Sequence, residues 1–315
     1  KPPVPQVPSE NTNIVYVADG SQVTVVHFVD EDGNAVHTSF VEAGDAGAKF
    51  TKAGEVTKVV DELKKQGYVV VPNKAGQAEY PGEAGVFDSV DDKGKDGVSQ
   101  VYYVTVAKTI PVTPTTPQNP NEEPKNPNPG DPIDPNNPTG PKWTKDALDK
   151  LNNIKSVTRT ITYIKDGTEE EVSTTEAPKV TNKVSFTRTV VVNPKDGSVV
   201  GYDTTGDGIA DVPATDTTSG WTAAGTAKFA EVKSPVVKGY VVKPNQDTQG
   251  DLVEADGSKV KASTTDLTVD SPNQDLKVRY VPVGKLVPKV PEGFEVPKVE
   301  KPQYPNDPTD PTKPG

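Results

Sequence analysis

Proline recurs at every third residue in two stretches of this chain, and that period limits what those stretches can become. Pro111, Pro114, Pro117 and Pro120 form one run, which resumes at Pro129, Pro132, Pro135, Pro138 and Pro141; Pro302, Pro305, Pro308, Pro311 and Pro314 form another. Polyproline II has three residues per turn, so the period lines the prolines along one edge of a stiff, solvated helix. At about 3.1 Å per residue, the tract from Thr109 to Pro141 would hold its ends roughly 100 Å apart. The expectation is a spacer that projects folded modules, a device that a soluble enzyme seldom needs.

Only 32% of the 315 residues are hydrophobic, against 32 prolines and 26 glycines, which argues for modest folded modules on extended connectors. Cysteine is absent, so neither disulfides nor thiolate metal sites stabilise them. That fits a cytosolic protein or a bacterial surface protein that does without disulfides. Methionine is absent too, even at position 1, and the expectation is an internal piece of a longer polypeptide. The formal charge of −11 makes nucleic acid and anionic membranes poor partners, since both are bound through clustered Lys and Arg. No signal peptide and no apolar run of about 18 residues is present, so membrane insertion is not expected.

Between the proline tracts lie two blocks with periodic patterns. In the first, 13–108, Gln22 to Val29 reads as a β-branched strand, Asp30 to Gly33 as a turn, and Ala35 to Val41 as the returning strand. Val56, Val59, Val60 and Leu63 follow at helical spacing, with Gly67 as the residue that ends the helix. Tyr68 to Val71 and Ser99 to Val106 are further strands. One helix across a mixed sheet of four or five strands buries these faces most simply. The second block, 143–284, opens on a short helix with Leu148, Leu151 and Ile154 on one side. Strands follow at Val157 to Ile164, Val184 to Val192, Val199 to Tyr202, Gly239 to Val242 and Leu276 to Val281, with a turn at Asn193 to Gly197. The segments 1–12, 109–142 and 285–315 are the expected proline-rich linkers. Gly67-Tyr-Val-Val-Val-Pro-Asn73 matches Gly239-Tyr-Val-Val-Lys-Pro-Asn245 at six of seven positions, in the same place along each block, which favours duplication of one unit.

These residues resemble the mucin-binding repeats of surface adhesins from lactobacilli and related gut bacteria. In the first block the resemblance is carried by VTVVHFVDEDGNAV and by a helix ending in KKQGY. In the second it is carried by VTRTITY, VSFTRTVVV, Gly220-Trp221-Thr222 and FAEVKSPVVKGYVV, which span most of Val157 to Val242. The resemblance implies two ubiquitin-like β-grasp modules, so the expected fold is α+β, β-rich and elongated, with the modules joined by the extended linker. It also implies an extracellular location, attachment to the cell wall through parts of the parent outside this segment, and binding to mucin glycoproteins. Immunoglobulin is a further partner that it suggests.

Catalytic constellations are poorly represented. His27 and His37 are the only histidines, nothing at metal-ligand spacing accompanies them, and a structural or surface role is expected. There is no nucleophile elbow and no phosphate-binding glycine loop, so the chain does not read as an enzyme and requires no cofactor. One segment carries a chemical signal. Asp203, Thr205 and Asp207 stand at positions 1, 3 and 5 of a calcium-type loop with Gly208 at 6, the Ile209 carbonyl at 7 and Asp211 at 9. Position 12 is Ala214 where a bidentate Glu belongs, so the alternative is an acidic hairpin turn. The acidic stretch Asp88 to Asp96 reads as a surface loop. Trp143 and Trp221, the only tryptophans, read as core, with an exposed Trp that stacks on sugars as the alternative.

The function expected from these features is a monomeric repeat unit, in tandem with sister repeats, that binds mucin glycans through weak contacts. A structural stalk and an immunoglobulin-binding module using a sheet edge are the alternatives.

Overall fold

A computed structural model describes residues 22–88, 100–116, 122–284 and 289–295, together with the backbone of two short paired strands, Asn306–Asp307 and Asp310–Pro314. The expected linker at 1–12 lies outside the described residues, as does much of that at 285–315. In chain order the first elements are β1 (Gln22–Asp30), β2 (Ala35–Gly44), α1 (Ala53–Lys65), β3 (Tyr68–Val71), β4 (Gln100–Lys108) and β5 (Ile110–Val112). Next come α2 (Lys145–Asp149), β6 (Ile154–Lys165), β7 (Val180–Thr187), β8 (Thr189–Val192), β9 (Val199–Asp203) and β10 (Val212–Pro213). The last are β11 (Thr222–Ala223), β12 (Val232–Lys233), β13 (Tyr240–Val242), β14 (Lys259–Val260) and β15 (Gln274–Pro282). The molecule is β-rich with few helices. It divides into two compact units. One takes the chain up to Thr115, Lys125–Asn153 and Arg188–Trp221; the other is chiefly Ile154–Thr187 and the chain from Thr222.

The first unit holds a four-stranded sheet in the order β2-β1-β4-β3, in which β1 and β4 are parallel and the outer pairs antiparallel. Strand alternation sends Val26, Phe28 and Val106 to one face, where Val56 and Leu63 of α1 meet them. Fully burying each such side chain contributes about 1.5–3 kcal/mol. The helix stops where the sequence places its stop, because Gly67 adopts φ +80° and turns the chain into β3.

The same unit contains a second sheet, β10-β9-β8-β5, and here the structure corrects the sequence reading of 109–142. Only Thr109 separates β4 from β5, which pairs antiparallel with β8 through Ile110↔Val192 and Val112↔Val190. Pro111 lies in an edge strand, where its missing N–H is tolerated. Farther along, the Ile133 N–H donates to Pro141 O at 2.9 Å and the Trp143 N–H to Asp131 O at 2.8 Å, so the tract folds back on itself. Ile133 and Trp143, each 2% exposed, pack with Val112, Leu151, Val190, Val192 and Tyr202 in one core. Pro111 lies in a strand, whereas Pro129, Pro135 and Pro138 stand in turns that break the extended path. The apolar residues between them provide a hydrophobic reason to dock, and the described part of the tract is not a solvated polyproline rod.

The second unit is organised around the sheet β11-β7-β6-β15-β13, with a small β12-β14 pair beside it in sequence. Its β6 and β15 are parallel, flanked by antiparallel β7 and β13. That arrangement repeats the order and directions of β2-β1-β4-β3. The matching Gly-Tyr-Val-Val segments begin β3 and β13 in the two sheets, which gives the internal duplication a topological counterpart.

Two boundaries differ from expectation. The helical stripe Leu148, Leu151, Ile154 is interrupted, since α2 ends at Asp149 and Ile154 starts β6; Asn152 at φ +45° turns the chain between them. The single strand expected over Val184 to Val192 is two strands in two sheets, parted at Arg188. Its backbone N–H donates to Asn153 O at 3.1 Å.

Candidate functional site

The loop with the calcium-like spacing joins β9 to β10. Asp203 Oδ1 accepts the N–H groups of Thr205 and Gly206 at 3.0 and 2.6 Å, and Asp203 Oδ2 accepts that of Gly208 at 2.8 Å. Asp211 Oδ2 accepts the N–H groups of Thr204 and Thr205 at 2.7 and 3.0 Å and the Thr204 hydroxyl at 3.0 Å. Asp207 Oδ1 accepts the Ile209 N–H at 2.8 Å, and the Ile209 side chain lies against Gly67. The structure therefore brings Asp203 and Asp211 onto the same turn, each loaded with the loop's own donors, while Asp207 caps Ile209 separately. The amide of Thr204 is the leading cause that holds the Asp211 carboxyl below the ordinary aspartate range. Among the described residues, no group of three or more His, Asp or Glu is placed to hold a metal ion.

Next to this loop sits an arrangement that the sequence reading did not single out. The Arg188 side chain is fully buried, its guanidinium carbon 3.2 Å from the centre of the Tyr202 ring and 4.5 Å from that of Trp221. Arg188 Nε donates to Asn152 O at 3.0 Å and Nη1 to Ser219 O at 3.4 Å, with Asp216 Oδ1 3.5 Å from Nη1; Nη2 has no hydrogen-bond partner among the described residues. Desolvation pushes the guanidinium pKa down, and Tyr202 and Asp216 oppose it. The N–H of Ser219 is the first cause of the lowered Asp216 carboxyl, and Arg188 adds to it. The second unit has a counterpart. Arg159, 1% exposed, donates through Nε and Nη2 to Asn182 Oδ1 at 3.1 and 2.8 Å and lies over the Phe229 ring at 4.8 Å. Strand parity carried the signal. Arg159 shares a face of β6 with Val157, Ile161 and Tyr163; Arg188 lies between β7 and β8, in the even-numbered series of Val184, Phe186, Val190 and Val192.

The tryptophans divide. Trp143 is core, as expected, whereas Trp221 is only half-buried, roofs Arg188 and donates Nε1–H to Thr217 O at 3.1 Å. His27 is nearly buried, its Nδ1 2.6 Å from Ser39 Oγ and its ring 5.3 Å from that of Tyr103. His37 sits edge-on to Phe28 at 5.6 Å, with Nδ1 2.9 Å from Thr38 O. Of the acidic stretch Asp88 to Asp96, all but Asp88 lies outside the described residues.

A groove of about 900 Å³ opens between α1 and the edge strand β3. Val56 and Val60 from the helix, Val104 from β4 and Val70 from β3 give it an apolar floor, and Val70 is 45% exposed. Asp61, Glu79 and Glu83 set three carboxylates on its lining against one ammonium, Lys64, which pairs with Asp61 at 3.2 Å. Asn73 closes one end: its Nδ2 donates to Tyr103 O at 2.9 Å and its Oδ1 accepts the Thr105 N–H at 3.1 Å. The wall is thereby fixed to β4. Behind it, Tyr80 stacks on Phe50 with centroids 5.8 Å apart and planes at 3°. The lining thus joins an apolar floor to an acidic rim.

Residues 148–284 match the family model of the Muc B2-like domain. No curated protein matches the chain. Among solved structures, the chain is similar to Mub-RV at 21% identity, with 84% of this chain and 100% of that one covered and a TM-score of 0.30. The type 2 repeat of the mucus binding protein MUB from Lactobacillus reuteri aligns at 16% identity, over 83% and 99% of the two chains, with a TM-score of 0.30. The mucin-binding domain of Spr1345 from Streptococcus pneumoniae aligns at 23% identity, over 42% and 94%, with a TM-score of 0.26.

Proposed function

We propose, from the Muc B2-like domain that residues 148–284 carry, that this chain is a repeat unit of an extracellular bacterial adhesin whose partner is mucin. The family match is the observation that carries this reading. In the same reading the two sheets with parallel central pairs are β-grasp-like modules of one duplicated unit. The finer proposal is recognition of mucin glycans. Mucins are rich in anionic sugars and the chain bears −11, so long-range attraction does not drive association. Local hydrogen bonds and stacking then provide the affinity, each weak, and tandem repetition strengthens them. The parent is proposed to be held at the cell wall through parts outside this segment; among the described residues, no helix is long and apolar enough to cross a membrane.

Surface plasmon resonance on immobilised mucin tests the reading. The expected result is monovalent binding weaker than about 1 μM, little changed between low and moderate salt, and lost when the mucin is deglycosylated. Binding that survives deglycosylation would point to a protein target such as immunoglobulin. The absence of any binding would leave a structural spacer.

Calcium enters only as a proposal for the loop of Asp203, Thr205, Asp207, Ile209 and Asp211. An ion there would have to displace the amides that now occupy Asp203 and Asp211. Calorimetric titration to millimolar calcium decides it, and no heat of binding removes the idea.

A further inference from the structure

Val70 and Val242 hold the same place in the repeated Gly-Tyr-Val-Val segment, and both stand on the core-facing side of an edge strand. Val70 is opposite Val106 and Val242 opposite Tyr280, and each of those partners is 1% exposed. In the second unit the chain covers this place itself. Val242 is packed against the cluster that contains Val253 and Val260, and Gly257 comes so close that a Cβ there would stand 3.1 Å from the Val242 Cβ. In the first unit α1 lies on the sheet instead, and Val70 is left 45% exposed beside the groove.

The backbone of β3 is also disposed to pair. Thr109 N–H donates to Gly67 O at 3.0 Å, so residues 67, 69 and 71 face β4 in the ladder. Tyr68 and Val70 consequently turn their N–H and C=O groups outward, and no strand among the described residues lies on that side. Edge groups of this kind, next to a pocket for alternate side chains, are what strand addition uses.

We propose that the β3 edge and its groove take an extended peptide segment of a partner protein, with an apolar and a basic residue at successive groove-facing positions, two residues apart. The peptide lies beside β3, its backbone meets Tyr68 and Val70, and an apolar side chain covers Val70 as the Val253–Val260 turn covers Val242. Charge complementarity selects a basic residue at the next groove-facing position, because Asp61, Glu79 and Glu83 outnumber Lys64 on the same lining as Val70. A sugar fits less well. The floor is built of valines, and the Tyr80 ring is already stacked on Phe50.

The test is amide NMR on the complete chain, titrated with a capped peptide in which valine and lysine take successive groove-facing positions with threonine between them (Val-Thr-Lys-Thr, repeated). Shifts should concentrate on Tyr68–Val71 and the facing side of α1, and the same peptide with glutamate in place of lysine should bind at least about tenfold more weakly. Two copies N-methylated at alternate residues, one in each phase, should separate: one loses about tenfold and the other keeps its affinity. Val70→Pro removes an outward donor at an edge that tolerates proline, and should weaken binding to a similar degree. Shifts elsewhere, equal binding by both methylated copies, or the same amides moving with neutral sugars instead of peptide would each overturn the proposal. If Val70→Pro fails to fold, the methylated peptides still decide on the unaltered chain. Mucin binding is read separately and does not depend on this result.

Discussion

A buried arginine is tolerated only where its charge and its N–H groups are met, and Arg188 is met unevenly. Two carbonyls and Asp216 take Nε and Nη1, two aromatic faces take the planar surfaces, and Nη2 is left over. Arg188→Ala should cost about 3 kcal/mol, because it leaves those carbonyls without donors in a dry site. Trp221→Ala should cost less, about 1–2 kcal/mol, since it removes one cation–π face and opens the site to water. Urea denaturation of both variants checks the order, and a larger loss for Trp221→Ala would show that packing outweighs the charge. The neighbouring carboxylates give a pH dependence. Asp211 and Asp216 lie below the ordinary aspartate value of 3.8, chiefly through N–H donors from Thr204 and Ser219. A depressed folded-state pKa means that the unfolded chain binds protons first as pH falls. The stabilisation is therefore complete above the ordinary value and lost as pH drops through the folded one. The urea midpoint should fall from pH 6 to pH 3, and Asp211→Asn or Asp216→Asn should shrink that difference.

At the scale of elements, the tract after β4 is where period and packing disagree. The three-residue proline period predicts one continuous extended helix, yet Pro129, Pro135 and Pro138 stand in turns, and the period does not show whether a segment docks. Ile110, Val112, Ile133 and Trp143 decide that, each within two residues of a proline. Ile133→Ala should cost about 2–4 kcal/mol, as for other buried Ile and Leu truncations, whereas a solvated spacer would give no change; thermal unfolding reads the difference. The strands β1 to β4 and helix α1 were legible because two-residue and 3.6-residue periods were clean and Gly33 and Gly67 punctuated them. Val184 to Val192 was misread as one strand for a physical reason. Both halves are β-branched and run on without a turn residue, and only the buried Arg188, pinned to Asn153, shows where the chain leaves one sheet for the other. The Asp-rich loop has a calcium-type spacing, with an acidic hairpin turn as the alternative. Spacing does not reveal that amides of the same loop reach Asp203 and Asp211.

At the scale of the whole molecule, duplication was visible in seven residues and is matched by two sheets with one strand order. The cut into consecutive segments was not recoverable from composition, because the chain passes between the compact units more than once. A fragment of residues 143–284 therefore lacks β5 and Ile133, and exposes the β8 edge that β5 covers. It should be less stable than a fragment of 109–284 by about 4 kcal/mol, the combined effect of removing two buried aliphatic side chains. Equal urea midpoints for the two fragments would contradict the docked arrangement of the tract. The central strands of the two sheets have a mechanical consequence. β1 and β4 run parallel through seven register pairs, as do β6 and β15, and in each sheet one of the pair comes first along the chain and the other comes last. Tension on a tethered polypeptide would load each set of hydrogen bonds in shear, all together, instead of peeling them singly, so resistance to pulling would be set by the unfolding barrier and not by equilibrium stability.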